Sequence, residues 1–390
     1  MAGIPASTAS LRAANTRRVL EALRRGPASQ ADLARRTGLS PATVSAIVRT
    51  LTAAGSVQVS VATSNGRRAN RVRLGGGPLA AGIDVDHRHL RVVVGTSGGS
   101  GGPVLAERAV RLATDLTAAA GLDTAIRLLD DALTSINASR DELAAVAVGL
   151  PAPVDLRTGL VGSSSILPAW VGVRAEDALR ERLDLPVVVD NDSNLGALGE
   201  MTWGASVGRR DSAYIKASTG IGAGLVIAGE LFRGRAGTAG EIGHTTIDEN
   251  GPICRCGNRG CLEMLAGVPI LLRLLEQAYG RPMTLPAAIS RARAGDAGCA
   301  RVLADAGRHI GVAIANLANL LNPEVIVVGG ELVEAGDMLL DPMRTVLRRY
   351  AIPSAASTAE VVPAALGERA EALGALALAL DKAEHLTYEG

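Results

Sequence analysis

Aromatic residues are nearly absent from this 390-residue chain: Phe, Trp and Tyr together make up 2%. Base-stacking platforms of the kind that hold single-stranded nucleic acid are excluded, so any nucleic-acid contact must come from arginine and helix edges. Lysine is almost missing too, with Lys216 and Lys382 alone, and nearly all positive charge is guanidinium. That bias reads as composition without function. Four cysteines are too few for a disulfide framework at this length. No apolar run reaches the roughly 18 residues that span a bilayer, and the N-terminal segment lacks the apolar core of a secretion signal. A soluble, cytoplasmic protein with no membrane partner is expected.

Hydrophobic residues make up 47% of the chain, enough for packed cores and against intrinsic disorder. The formal net charge of +1 hides a division. Residues 1–75 carry twelve arginines against two acids, Glu21 and Asp32, a charge of +10; the other 315 residues carry 28 basic and 37 acidic groups, a charge of −9. A basic head on an acidic body points to a polyanion-binding arm.

In the head, Val19, Leu20 and Leu23 have helical spacing and stop at Gly26-Pro27. Ser29 is a candidate N-cap for a short helix that ends at Thr37-Gly38, and Ser40-Pro41 starts a third helix through Val44, Ile47, Val48 and Leu51. Two short helices joined by a glycine turn are the helix-turn-helix pattern. The third helix would bury its apolar face and present Pro41, Ala42, Thr43, Ser45, Ala46 and Arg49, small and polar enough for a major groove. Two alternating stretches then flank Ser64-Asn65-Gly66, a hairpin signal, with Arg67 and Arg68 at its tip and Arg71 and Arg73 behind. Such a wing reaches a narrow minor groove, which attracts guanidinium. The plainer alternative is a small helical domain with a solvated hairpin. The expected division is a winged helix-turn-helix domain over residues 1–75, a linker over 76–79 and a body over 80–390.

The body alternates strand-like and helical stretches, which predicts an α/β fold. Ala80 to Val94 reads as two strands, and the glycines at 98–102 as the next hairpin turn. The strand Val187 to Asp190 delivers Asp190-Asn191-Asp192-Ser193-Asn194 at its carboxyl end, the end where α/β sheets bind ligands. A strand over Ser212 to Ala217 runs into Ser218, Thr219, Gly220, Ile221 and Gly222, which either cradle a phosphate or make a tight hairpin.

The strongest chemical signal is His244 followed by Cys-Arg-Cys-Gly-Asn-Arg-Gly-Cys at 254–261. His244, Cys254, Cys256 and Cys261 make one Cys₃His set suited to tetrahedral zinc; with every ligand from the protein, the ion would be structural. Reduced thiols without metal are the alternative, and Cys299, far away, reads as a core residue. Zinc in this loop would also place Glu241 and Glu263. Together with Asn191 and Asp192 they make a set suited to sugar hydroxyls.

The stretches at 187–200, 218–225, 241–263 and 327–344 together resemble the ROK family of repressors, open reading frames and kinases, and the basic head resembles the winged helix of its repressor branch. The resemblance implies an actin-like, two-lobed body of the sugar-kinase type, with sugar contacts from Asn191, Asp192, Glu241, His244 and Glu263. His244 would bind zinc through one ring nitrogen and face the ligand with the other. In kinase members the aspartate matching Asp192 is the base toward a sugar hydroxyl. This chain departs from the kinases where they carry D-x-G-G-T: Asp84-Val85 is followed by Asp86-His87-Arg88, with a carboxylate and bulky side chains where phosphate must approach. Ile166 stands where an asparagine is usual, and Ala152 where glycine is common.

The leading expectation is a sugar-responsive transcription regulator, a repressor, working as a homodimer or homotetramer on a double-stranded DNA operator, with one structural zinc per chain. The first alternative is an ATP-dependent sugar kinase using Asp192, with Ser218, Thr219, Gly220 and Gly222 as its phosphate loop. The second is a body that docks a transport protein.

Overall fold

The computed structural model describes residues 15–389 apart from 17, 24–25, 54–56, 65–66, 75–76, 87, 98–103, 113–116, 156 and 163–167. After helical residues 18–23, the head continues through β1 (Ala28–Ser29), α1 (Gln30–Thr37), α2 (Pro41–Ala53), β2 (Val57–Ser64) and β3 (Arg67–Leu74). Ser29 caps α1 as the spacing predicts: its Oγ accepts from the Asp32 N–H at 3.1 Å, and the Asp32 carboxylate reaches back to the Ser29 N–H at 3.3 Å. This closes two of the N–H groups a helix start leaves open. Gly38 then turns the chain with φ 67°, the left-handed region where a side chain is strained, and Ser40 caps α2 by accepting from the Thr43 N–H at 3.1 Å. Val44, Ile47, Val48 and Leu51 are buried with Val19, Leu20, Leu23 and Leu33 in one small core. Pro41, Ala42, Ala46 and Arg49 face solvent, and Thr43 and Ser45 are half-buried. β2 and β3 pair from Val57 with Leu74 to Ser64 with Arg67, and β1 adds a third strand to β3. The Asn65-Gly66 turn and the side chains of Arg67 and Arg68 lie outside the described residues.

In the body, two five-stranded sheets share one construction. The first has the order β6-β5-β4-β7-β8, from β4 (Leu79–Val85), β5 (His89–Thr96), β6 (Val104–Arg111), β7 (Leu143–Leu150) and β8 (Val187–Asn191). The second has the order β11-β10-β9-β12-β13, from β9 (Ser212–Ala217), β10 (Ile221–Ile227), β11 (Glu230–Phe232), β12 (Val325–Gly329) and β13 (Glu360–Pro363). In each, the first three strands are antiparallel and the last two run parallel to the first. Parallel neighbours need crossovers, and helices supply them: α3 (Ala118–Thr134) and α4 (Ala175–Leu183) on the first sheet, and α6 (Glu263–Ala266), α7 (Val268–Tyr279), α8 (Leu285–Arg293) and α9 (Ala297–Leu321) on the second. After β12 follow α10 (Asp337–Tyr350) and α11 (Pro353–Thr358). The predicted hairpin between β5 and β6 is present as antiparallel pairing, while its glycine turn lies outside the described residues.

Two helices join the sheets. α5 (Asp192–Trp203) starts directly after β8 and packs on β9 and β10, while α12 (Ala370–Glu389) covers the first sheet through Ala372, Ala375, Leu376, Ala379 and Leu380. They cross closely because Gly199 and Gly374 carry no side chain; a Cβ at Gly374 would lie 1.7 Å from the Leu195 carbonyl oxygen. Any larger residue there would push the two helices apart. Cys299 is buried in the core under the second sheet, as its helical setting predicts. Among the described residues no helix is long and apolar enough to cross a membrane.

Candidate functional site

Between the sheets lies a cleft of about 680 Å³ including its solvent-open mouth, walled by the end of β4, the Pro151–Pro153 loop, the start of α5, the β9–β10 turn and the cysteine loop. Asn191, Asp192, Glu241, His244 and Glu263, from separate parts of the chain, all line it.

Asp192 is the first residue of α5, where the positive end of the helix dipole favours a carboxylate. It is buried, its Oδ2 accepts from Lys216 Nζ at 2.8 Å, and its Oδ1 accepts from Ser193 Oγ at 3.2 Å. Burial pushes its carboxyl up from the ordinary range, and Lys216 pulls the other way. Glu241 is half-buried, and burial, with the charges of Asp192 and Glu263 beside it, pushes it up to about 7. It is the predicted sugar contact with fewest protein partners, at 4.0 Å from His244 Nε2.

Asn191 and Glu263 line the cleft and also bond to its frame. Asn191 caps α5, its Oδ1 accepting from the Ser193 and Asn194 N–H groups at 2.9 and 3.4 Å, and its Nδ2 donates to the Ala152 carbonyl at 3.2 Å. The capping oxygen is spent on the fold. Glu263 accepts from the Ile221 N–H at 3.3 Å and ion-pairs with Arg255. Both side chains line the cleft, but they also hold its walls.

His244, Cys254, Cys256 and Cys261 place one ligand atom each within 4.8 Å of the others. His244 Nδ1 is 3.7 Å from Cys254 Sγ, and Cys256 Sγ is 3.6 Å from Cys261 Sγ. A tetrahedral ion with bonds of about 2.0–2.3 Å sets its ligand atoms roughly 3.3–3.8 Å apart. Those spacings fit, and the set can hold a metal ion. His244 directs Nδ1 at the thiols and Nε2 toward Glu241 in the cleft.

The Ser218–Gly222 segment resolves as a hairpin turn, with Ala217 paired to Ile221 and the Ser218 N–H donating to the Gly220 carbonyl at 3.0 Å. It lines the cleft, but its surroundings are anionic. Ser218 Oγ donates to Glu331 at 3.1 Å, and Glu331 also takes Arg88 at 3.0 Å. At the end of β4, Asp86 is buried and Asp84 is paired with His89 at 3.1 Å. Asp86 thus shares the cleft wall with that turn, and Glu331 accepts from its Ser218 hydroxyl. Ile166 lies outside the described residues, and Ala152 is buried in the cleft wall.

Sequence reasoning missed Lys216. Lysine's rarity reads as composition bias, yet Lys216 is buried at the centre of the site, 2.8 Å from Asp192, 3.5 Å from Glu371 and 3.6 Å from Asp86. Burial alone would lower its pKa, but those carboxylates hold it well above the ordinary lysine value. Only its strand neighbours could have signalled this: a lone lysine in a strand of Ala, Tyr and Ile. Asp190 accepts from Arg233 at 2.6 Å and from Asn194 at 2.8 Å, and so anchors the start of α5, a role its place in the sequence does not signal.

A winged helix-turn-helix followed by two lobes around a cleft defines a DNA-binding head on an actin-like, sugar-kinase-type body. The chain belongs to the ROK family, whose pattern matches residues 81–382, and residues 14–69 match the MarR family. It is 29% identical to the xylose repressor of Bacillus subtilis over 93% of each chain. It is 38% identical to a glucokinase of Halalkalibacterium halodurans over 63% of this chain and 79% of that one. The crystal structure of a ROK family transcriptional regulator, a homologue of the E. coli MLC protein, covers 97% of this chain and 100% of that chain with a TM-score of 0.82 and 26% identity.

Proposed function

We propose that this protein is a sugar-responsive transcriptional repressor of carbohydrate genes, in which a sugar held between the lobes changes the affinity of the head for operator DNA. The observation that carries this reading is the extent of the likeness: a repressor is matched over head and body alike, whereas the glucokinase match covers 63% of the chain. Residues 1–75 act as the DNA-binding unit, 76–79 as its linker and 80–390 as the sensor. Pro41, Ala42, Thr43, Ser45 and Arg49 meet a major groove, while Arg67 and Arg68 reach the flanking minor groove. Asp192, Glu241 and His244 Nε2 take sugar hydroxyls, with Asn191 and Glu263 shaping the pocket. The Cys₃His set holds a structural zinc. A homodimer on a palindrome places two α2 helices in successive major grooves, and a tetramer is two such dimers.

The sugar acts by favouring one lobe arrangement over another, which requires unequal affinity for the two. Fluorescence anisotropy of a duplex from the gene's own upstream region, titrated with protein at constant salt with and without D-xylose, D-glucose or N-acetyl-D-glucosamine, tests this. At least one sugar shifts the midpoint; indifference to all, with binding intact, rejects the allosteric reading.

Asp192 and the glucokinase likeness keep a kinase reading in view. Against it stand the Lys216 ammonium on Asp192, the Asp86 carboxylate in the same cleft and the Glu331 carboxylate bonded to Ser218 of the turn that phosphate would use. An ADP-release assay over the same sugars decides: turnover abolished by Asp192→Asn would make the chain an enzyme. Asn191, Glu241 and Glu263 share one cleft, which favours a small ligand over a docked transport protein.

A further inference from the structure

The sugar-site reading does not use Lys216, although it joins the two sheets. Its stem rises near the end of β9, opposite Gly222 on β10 and Gly329 on β12, so neither neighbouring strand carries a side chain directly beside it. Its ammonium is shared among Asp192 at 2.8 Å, Glu371 at 3.5 Å and Asp86 at 3.6 Å. The cation belongs to the second sheet; Asp86 follows β4 of the first, while Asp192, directly after β8, and Glu371, which also accepts from Tyr214 of β9 at 3.0 Å, stand on α5 and α12, the helices that join the sheets. A compact ammonium suits this place, because three N–H donors can address three separate acceptors, while a guanidinium fork is planar. In a chain where 38 of 40 basic side chains are arginine, the lysine stands where that geometry is needed.

Nζ bonds Asp192 and lies just beyond bonding distance of Glu371 and Asp86. A ligand hydroxyl that donates to Asp192 draws on the carboxylate that holds the ammonium, and a movement of about 1 Å gives Nζ to the other two. Because Asp86 rides on the first sheet and Nζ on the second, with Asp192 and Glu371 on the helices between them, that exchange is also a displacement between lobes. Arg88 and Ser218, one from each sheet, meet on Glu331 and make a second crossing beside it.

We propose that Lys216 is the positioning residue that ties Asp192 to the second lobe, and that a sugar hydroxyl bound at Asp192 loosens this tie and so transmits occupancy of the cleft to the lobes. The transmission rests on the sugar-site reading above; the tie does not. The opposing view is that Lys216 is only a counter-charge for buried carboxylates.

The test uses the full chain as wild type, Lys216→Met, and Lys216→Met with Asp86→Asn. Thermal melting and amide hydrogen exchange are followed without sugar and with D-xylose, D-glucose or N-acetyl-D-glucosamine. Without sugar, Lys216→Met melts lower, and amides of the β9–β10 turn and the first turn of α5 exchange about tenfold faster or more. The double variant recovers its melting temperature, since a buried carboxylate has gone with the ammonium, but keeps the fast exchange at the lobe boundary. A sugar that protects the wild-type cleft also changes exchange at 84–86 and 370–376 in the wild type and in neither variant. If the double variant regains both wild-type exchange and the sugar response, or if both variants exchange like wild type, Lys216 is a counter-charge and the proposal is overturned. If no sugar alters the wild type, the sugar-site reading and the transmission fall together, while the sugar-free comparison still decides the tie.

Discussion

Head and cleft are built on opposite plans. The outward residues of α2 lie within nine positions, Pro41 to Arg49, on one short helix whose caps, turn and apolar stripe are all local. The cleft gathers Asp86, Asp192, Lys216, Glu241, His244 and Glu263 from both sheets and the cysteine loop, and most of them are buried or half-buried. A surface built from one helix can be read by its periodicity. A site built between sheets acquires its chemistry from neighbours far away in sequence. The difference also separates the forces: charge in solvent governs the head, and paired charge away from solvent governs the cleft.

The sharpest contrast is salt. If six or more phosphates are met by the arginines of the head, DNA affinity falls about 10³-fold between roughly 50 and 200 mM salt, measured by anisotropy, while the affinity for a neutral sugar changes by less than about twofold. A flat salt response would place the DNA contacts elsewhere than on the basic head. Next, Leu33→Ala removes a fully buried side chain from the small head core and costs about 2–5 kcal/mol there. DNA binding is lost, and sugar-induced exchange protection in the body persists; loss of both would make the two regions one cooperative unit. Cys256→Ser inverts this. Sugar affinity falls about tenfold or more as the loop carrying Glu241 and Glu263 loosens, with DNA binding affected later or less, which parallel titrations of both ligands would show. Ser40→Ala has the smallest effect, about 1 kcal/mol from loss of the α2 cap, visible as weaker DNA binding with an unchanged sugar response.

The element pattern was largely legible because each local signal agrees with the packing around it. Ser29 and Ser40 cap the helices that they precede, β9 spans the residues expected of it, and the Cys₃His set comes together. Ser218–Gly222 stayed ambiguous between phosphate cradle and hairpin because glycine allows both. Pairing with β10 shows the hairpin, with Ser218 bonded to Glu331. Asn191 has a residue type that suits a sugar and a helix start equally, and its amide oxygen goes to the helix.

By itself, the sequence determined the charge division, the helix-turn-helix, the α/β order and the metal-binding set, since each depends on residues close together along the chain. The tertiary structure alone decided what Lys216, Asp86, Glu331 and Glu371 do. A lysine in a strand has no fixed role until folding brings carboxylates to it, and these come from elements 24 to 155 residues away, at Asp192 and Glu371. Buried charge takes its meaning from its partners, and only the fold supplies them.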